Sequence, residues 1–373
     1  MSENKVYYKR LDILRIVLCI LILLYHLNIV QGGFLAVCSF FALSGYLSCA
    51  SALKSKEFSI KKYYLNRIKK VYLPLLIVVL ATIILAKTIP NIRWLNIKPE
   101  SISVIFSYNN FWQLNANLDY FTRHINSPFM HFWFIAILIQ FELIFPLAFV
   151  LLQRIDKKVN KHFSTFVVIL LAIITTLVFV HMSNTQDIMK VYYSTLARSF
   201  SIIYGVLLAI FHYKYNLKII RTIKNHSEVP YIIYILLLVL MCLFATTEHY
   251  AISMIIVTIL SLRLIEYSKI RSSGKSNVLE FISKSTYEVY LVQYPVMFFM
   301  NYTQFTEIIK ILLTILISIA LSFSIHFLLN NKNNVIRIIS VLIFGAILLC
   351  GRYVTYKGSR SHARNERTRA KTK

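Results

Sequence analysis

Residues 1–34 read MSENKVYYKRLDILRIVLCILILLYHLNIVQGGF, and the apolar run at 11–30 is long enough to cross a bilayer as a helix. Arg15 and His26 lie inside that run. Ionisable side chains at membrane depth are costly and point to function by default. Eleven residues turn an α-helix about 20° past three full turns and climb about 16 Å, so both side chains share a face. Arg15 falls near one end of the span and His26 far above it. A cation at one membrane face and a base about three turns deeper suit a long, phosphate-bearing thioester such as an acyl-coenzyme A. The blander alternative is a snorkelling Arg and a His hydrogen-bonded inside a bundle. The shared face tips the balance toward function.

Composition sets the class. The chain has 373 residues, 57% hydrophobic and 15% charged, far too little charge for a soluble domain of this size. Long apolar runs recur at 34–53, 71–89, 132–152, 163–181, 196–213, 229–247, 250–265, 286–301, 308–329 and 335–350. With the first run they predict an all-α, polytopic transmembrane helix bundle of about 10–11 spans. The 24 Tyr and 26 Phe supply interfacial belts. A formal charge of +26 would suggest nucleic acid in a soluble protein. Here the excess sits in short connections, so it speaks for topology and anionic membrane lipid, and no nucleic-acid partner is expected.

The basic connections SKEFSIKKYYLNRIKK, QRIDKKVNKH, HYKYNLKIIRTIKN and EYSKIRSSGKSN all fall on one side with Lys5, Lys9 and Arg10 if the N-terminus is cytoplasmic. That predicts a multi-pass protein of the cytoplasmic membrane. The start lacks cleavable-signal grammar, so the first span is expected to stay in the mature protein. Two segments then face outward: 88–130, rich in Asn and aromatics, and 183–198. The tail 352–373 carries eight Lys/Arg against one Glu and is expected to be disordered. The five cysteines lie in apolar stretches without metal-ligand spacing, and no metal is expected.

Further motifs follow the first span. GGFLAVCSFFALSGYL offers Gly32 and Gly33 for a tight turn beyond His26, and Ser44 and Gly45 for close helix approach. In FSIKKYYLNRIKKVYLPLL, Lys61, Lys62, Arg67, Lys69 and Lys70 crowd the cytoplasmic mouth before Pro74. Such a cluster can hold coenzyme A phosphates, or can simply anchor topology.

The order R-x10-H, GGF, FFxLSGYL, YYxxRxxKxxxP resembles the acyltransferase 3 family of integral membrane acyltransferases. SYNNFWQLNANLDYF with HFWFIAILIQFELIFPL, then KVYYSTLARSFSIIYGVLLA and KSTYEVYLVQYPV, extend the likeness to its peptidoglycan O-acetyltransferase branch. The resemblance spans 1–351 as one transmembrane domain. It implies transfer of an acyl group, usually acetyl, from cytoplasmic acyl-CoA to a cell-envelope carbohydrate on the outer face. Arg15 and His26 become the core pair, with Asp12 one turn before Arg15 and the Lys61–Lys70 cluster beside the phosphates. Tyr192, with Tyr193 as fallback, matches the branch's acyl-accepting Tyr, and Arg198 matches its neighbouring Arg. A phenol with a pKa near 10 is a poor nucleophile unless a nearby cation or base favours the phenolate.

Several positions depart from the pattern. Leu138 and Ile139 stand where the W-S-L-x-x-E-E-Q-F-Y block has acids, Gln140 and Phe141 keep it, and Glu142 arrives late on another helix face. Gln293 replaces a His, Leu196 replaces an acid, and HFLLNNKNNVIR lacks the late E-x-P-x-R block. No stretch after the last span resembles the branch's outer hydrolase-like domain, so a separate extracytoplasmic acyltransferase- or esterase-like partner is expected. Alternatives from other classes are a polysaccharide exporter or flippase, and a catalytically silent relative that scaffolds wall synthesis.

Overall fold

The computed structural model describes residues 8–348 except 90–91, 93, 95, 117, 119, 122–124, 217–227, 270–275 and 332. The tail 352–373 lies outside the described residues. All regular structure among the described residues is helical. In chain order the helices are α1 (Lys9–His26), α2 (Ala36–Lys54), α3 (Ile60–Arg67), α4 (Leu73–Thr88), α5 (Ile97–Ile105), α6 (Asn109–Asn115), α7 (Trp133–Lys158) and α8 (Phe163–Thr185). They continue as α9 (Ile188–Tyr193), α10 (Thr195–Tyr213), α11 (Val229–Phe244), α12 (Tyr250–Tyr267), α13 (Asn277–Met300), α14 (Glu307–Asn330) and α15 (Asn334–Leu348).

The chain is an all-α, multi-pass membrane protein. Among the described residues, seven helices are long and apolar enough to cross a membrane: Gly33–Lys54, Ile60–Thr88, Met130–Lys158, Phe163–Thr185, Thr195–Tyr213, Tyr250–Tyr267 and Glu307–Asn330. The other four expected spans are also helical but fall short of that standard. α1 carries Lys9, Arg10, Asp12 and Arg15, and α13 carries Glu280, Lys284 and Glu288. α11 and α15 are shorter than the roughly 20 residues that a bilayer demands. Two expected connections are helical instead: the basic stretch before Pro74 becomes α3 and the π-turn Ile68–Tyr72, and QRIDKK completes α7.

Two compact units divide the chain. One comprises Met1–Tyr64, Leu114–Asn117 and Phe134–Lys284; the other comprises Leu65–Gln113, Leu118–Trp133 and Ser285–Lys373.

The first unit is organised around α2 and α10, which touch backbone to backbone. A Cβ on Gly45 would sit 2.1 Å from the Ile202 carbonyl oxygen, and one on Gly205 would sit 2.0 Å from that of Ala42. Small residues permit this approach in membranes, where packing and not water drives association. α12 packs on α2, α8 on α10, α11 on α12 and α1 on α2. Ser194 caps α10 by accepting from the Ala197 amide at 3.2 Å.

α1 ends at His26 because Asn28 adopts a left-handed φ of 61°. The Ile29 amide then donates to the Leu24 carbonyl at 2.9 Å and the Asn28 amide to that of Tyr25 at 3.1 Å, the paired bonds of a Schellman cap. Gly32 and Gly33 therefore do not make the turn. They allow contact: a Cβ on Gly33 would lie 2.5 Å from the Leu21 carbonyl, and the Gly32 amide donates to that of Cys242 at 2.8 Å.

In the second unit, the segment after α4 is held by a buried polar knot. Glu100 accepts from Trp94 Nε1 at 2.8 Å, Gln113 Nε2 at 3.1 Å and Ser127 Oγ at 2.5 Å. Trp94 packs edge-on against Phe129, and Phe298 of α13 joins the cluster.

The crossing of α2 and α10 is testable. Gly205→Ala places a methyl group against backbone, where overpacking costs about 1–3 kcal/mol. Thermal melting of the detergent-purified protein should drop for Gly205→Ala. Gly345→Ala, whose added Cβ meets nothing within 4 Å, should melt like wild type.

Candidate functional site

α1 carries both Arg15 and His26. His26 is the last helical residue and is buried. Arg15 is half-buried, with its guanidinium 3.9 Å from Asp12 one turn below. Asp12 also accepts from Ser283 Oγ at 2.7 Å, so this carboxylate is committed to a neighbouring helix. The residues that follow the Arg15 face toward His26, Leu18, Cys19 and Ile22, are buried and apolar.

The end of the first unit where α1 stops holds three of the predicted residues, His26, Tyr192 and Arg198. The His26 ring lies 5.7 Å from that of Tyr25, Tyr25 lies 5.8 Å from Phe34, and Phe34 lies 6.2 Å from Tyr192. Arg198, in the first turn of α10, places its guanidinium 4.9 Å over the Tyr192 ring and 5.7 Å from that of Phe41. Its Nη2 reaches Cys38 Sγ at 3.6 Å, and its Nη1 meets the Met254 sulfur. Residues of α1, α2, α9, α10 and α12, with Phe34 from the turn between α1 and α2, thus gather here. The Arg198 cation rides on the face of the Tyr192 ring, where the quadrupole attracts it. Tyr192 and Tyr193 are both fully buried, so neither phenol lies at a surface mouth. Leu196, by contrast, is exposed.

The basic cluster is laid out differently. Lys61 and Lys62 are exposed in the first turn of α3, Arg67 is half-buried at its end, and Lys69 and Lys70 are exposed on the π-turn. These five are helix-borne cations and not loop residues.

Two buried groups were not singled out by sequence reading. Glu142 of α7, which the motif comparison left as a misplaced acid, accepts from Ser48 Oγ at 3.0 Å and from the Tyr63 hydroxyl. Pro146, four residues on, removes the amide that would otherwise bond the Glu142 carbonyl. The signal was a lone acid in WFIAILIQFELIFP, which is costly unless partnered. In the second unit, His131 is fully buried, stacked 5.0 Å from Tyr294 at an interplanar angle of 16° and 5.1 Å from Tyr290. The i, i+4 tyrosines of α13 were the available hint. Gln293, between them, is also fully buried, and neither its amide oxygen nor its nitrogen has a hydrogen-bond partner among the described residues.

Comparison with known proteins agrees with this architecture. The family model described as an acyltransferase domain, acyltransferase 3, matches residues 8–330, and the chain belongs to that family. O-acetyltransferase OatA from Staphylococcus aureus strain NCTC 8325 / PS 47 is 28% identical over 335 residues, covering 84% of this chain and 55% of the relative. OatA from strains COL and MRSA252 of the same species gives the same figures. The chain therefore spans about half the length of the curated relatives it matches. No solved structure matches.

Glu100 makes the clearest pH prediction. Burial pushes its carboxyl up from 4.5 to about 7, against the pull of the hydrogen bonds from Ser127, Trp94 and Gln113. Between those values the folded state holds a proton that the unfolded chain releases, so stability falls as pH rises from about 4.5 to 7 and levels off above. The span corresponds to an effect on the order of 3 kcal/mol. Melting curves at pH 5 to 8 should show this decline in wild type. The decline should be smaller in Glu100→Gln, whose side chain cannot ionise.

Proposed function

We propose that this chain is a membrane O-acetyltransferase that takes an acyl group, acetyl in the first instance, from acyl-CoA on the cytoplasmic side. It passes the group to a cell-envelope carbohydrate on the outer face. The observation that carries the reading is the run of neighbouring rings from His26 through Tyr25 and Phe34 to Tyr192, which lies under the Arg198 guanidinium, in a chain of this family. OatA, a named O-acetyltransferase, supports the reaction type, and the basic helix ends support an N-terminus in the cytoplasm.

In this reading the donor's phosphates bind among cations at the start of α1 and its acyl arm runs up the apolar Arg15–His26 face. A hydroxyl oxygen attacks the thioester carbonyl. His26 takes the hydroxyl proton, the carbon–sulfur bond breaks, and the thiolate leaves with that proton as coenzyme A thiol. The attacking hydroxyl is Tyr192, from which a glycan hydroxyl then collects the acyl group and returns the phenol's proton. Arg198 positions the Tyr192 ring. Because Tyr192 is buried, this transfer happens inside the protein, shielded from water. A separate extracytoplasmic acyltransferase- or esterase-like protein would complete delivery to polymeric glycan.

A catalytically silent scaffold is the second reading, favoured by Leu138 and Ile139 in place of acids. Transfer of radiolabelled acetyl from acetyl-CoA in membranes separates the two. His26→Ala should lose about 10²–10⁴-fold, the usual scale of general-base help. Tyr192→Phe should stop acceptor acetylation while retaining acyl-CoA binding. Full activity in His26→Ala would end the enzyme reading; full activity in Tyr192→Phe would send the acyl group straight to the glycan.

Orientation has its own check. In intact cells an impermeant thiol reagent should label a cysteine placed at the exposed Asn115, within 109–117, and should not label one placed at the exposed Lys61, within 56–70. The reverse pattern would put the donor on the wrong side.

A further inference from the structure

At the end of the first unit where α1 begins, α2, α10 and α12 all finish. Lys54, just inside the end of α2, holds its Nζ 4.7 Å over the Tyr213 ring. Lys269, two residues beyond α12, holds its Nζ 5.5 Å from the same ring, 5.1 Å from that of Tyr46 and 4.7 Å from that of Tyr8. Two ammonium groups therefore converge on one phenol, inside an aromatic wall.

Neither lysine pairs with a carboxylate among the described residues. Glu228 is held by Arg10 at 2.8 Å, and Glu266, three residues before Lys269, by Arg263 at 3.1 Å with His212 at 3.8 Å; Glu57, three residues after Lys54, is exposed. Burial, with Lys54 adding to it against the pull of Tyr213, lowers the Lys269 ammonium below the usual lysine value. In sequence, the stretches 217–227 and 270–275 that continue from α10 and α12 add five Lys/Arg and no acid. Like charges held at this range repel unless an anion joins them.

We propose that Lys54, Lys269, Tyr213, Tyr46 and Tyr8 form a phosphate-binding site, and that it takes the nucleotide end of the coenzyme A donor. The inference rests on the donor assigned above and names residues that the Lys61–Lys70 cluster does not include. Phosphate oxygens accept from both ammonium groups. The half-exposed faces of Tyr8 and Tyr213 offer stacking to a purine, which an anionic lipid headgroup lacks. Tyr8 caps α1, and Arg15 stands seven residues and about 10 Å further along it on nearly the same face. A donor seated here thus points its thioester arm toward Arg15 and His26.

The test uses the purified full-length chain in detergent, with isothermal titration of coenzyme A and of adenosine 3′,5′-bisphosphate. A parallel arm reads the melting shift on adding phosphatidylglycerol. Wild type should bind both nucleotides. Lys54→Gln and Lys269→Gln should each weaken them about tenfold or more, the scale of one lost charge-assisted hydrogen bond. Lys54→Arg should restore binding; Lys54 is exposed, so its variants are not expected to disturb folding. Unchanged nucleotide affinity in both Gln variants overturns the site, and if they lose only the phosphatidylglycerol shift, the ligand is a lipid headgroup and the proposal is wrong. A wild type that binds no coenzyme A removes the donor reading itself, and this site with it.

Discussion

Everything in the first unit hangs on the contact between α2 and α10 at Gly45 and Gly205. The two helices run parallel, since their starts meet at Cys38 and Arg198 and their ends at Lys54 and Tyr213. Gly205 lies seven residues from Arg198 and eight from Tyr213, roughly 10–12 Å along the axis in either direction. One crossing therefore fixes both ends. A shift of one helical turn would carry Arg198 away from Cys38 and Tyr213 away from Lys54 at the same time. In a bilayer no hydrophobic effect pulls helices together, so backbone proximity between small residues has to supply the attraction. Gly45 is legible as a close-approach residue in FFALSGYL, but its partner Gly205 is not, because no local pattern announces which helix will cross.

The helical bundle could be read from hydrophobic run length, since run length is a local property. Span limits blurred where amphipathic sequence continues a helix past the apolar core. FSIKKYYLNRIKK looks like a basic loop, yet its backbone groups are satisfied by continuing the helix, and its lysines reach outward. The turn after His26 was misassigned to Gly32 and Gly33 because glycine is the usual left-handed residue. Asn28 fills that role, as asparagine can in a Schellman cap.

Side-chain placement was legible only where spacing decides it. Arg15 and His26 share a helix, so their common face follows from 3.6 residues per turn. Tyr192 and Arg198 straddle the break between α9 and α10, and only the fold tells that the guanidinium lies over the ring face. Glu142 was discounted because motif comparison places it on the wrong face of α7, judged against the family's acids. Judged by its own contacts, it is a buried carboxylate with two hydroxyl donors from α2 and α3. A residue off-register to a pattern can still be in register with its neighbours.

α1 shows why charge and membrane depth are compatible here. Its first seven residues include Lys9, Arg10, Asp12 and Arg15, which disqualify it as a lipid-facing span. Each buried member has a protein partner: Arg10 bonds Glu228 and the Tyr267 carbonyl, and Asp12 receives Ser283. Tyr231 returns a bond to the Arg10 carbonyl at 2.6 Å. A polar helix at membrane depth is tolerated when protein rather than lipid surrounds it. α11 and α12 supply that shelter at its start, and α2 packs along it. The same packing buries Leu18, Cys19 and Ile22, the residues between Arg15 and His26 on their shared face, against protein. The charges that make α1 a poor span by composition are thus what suit it to carry the proposed site.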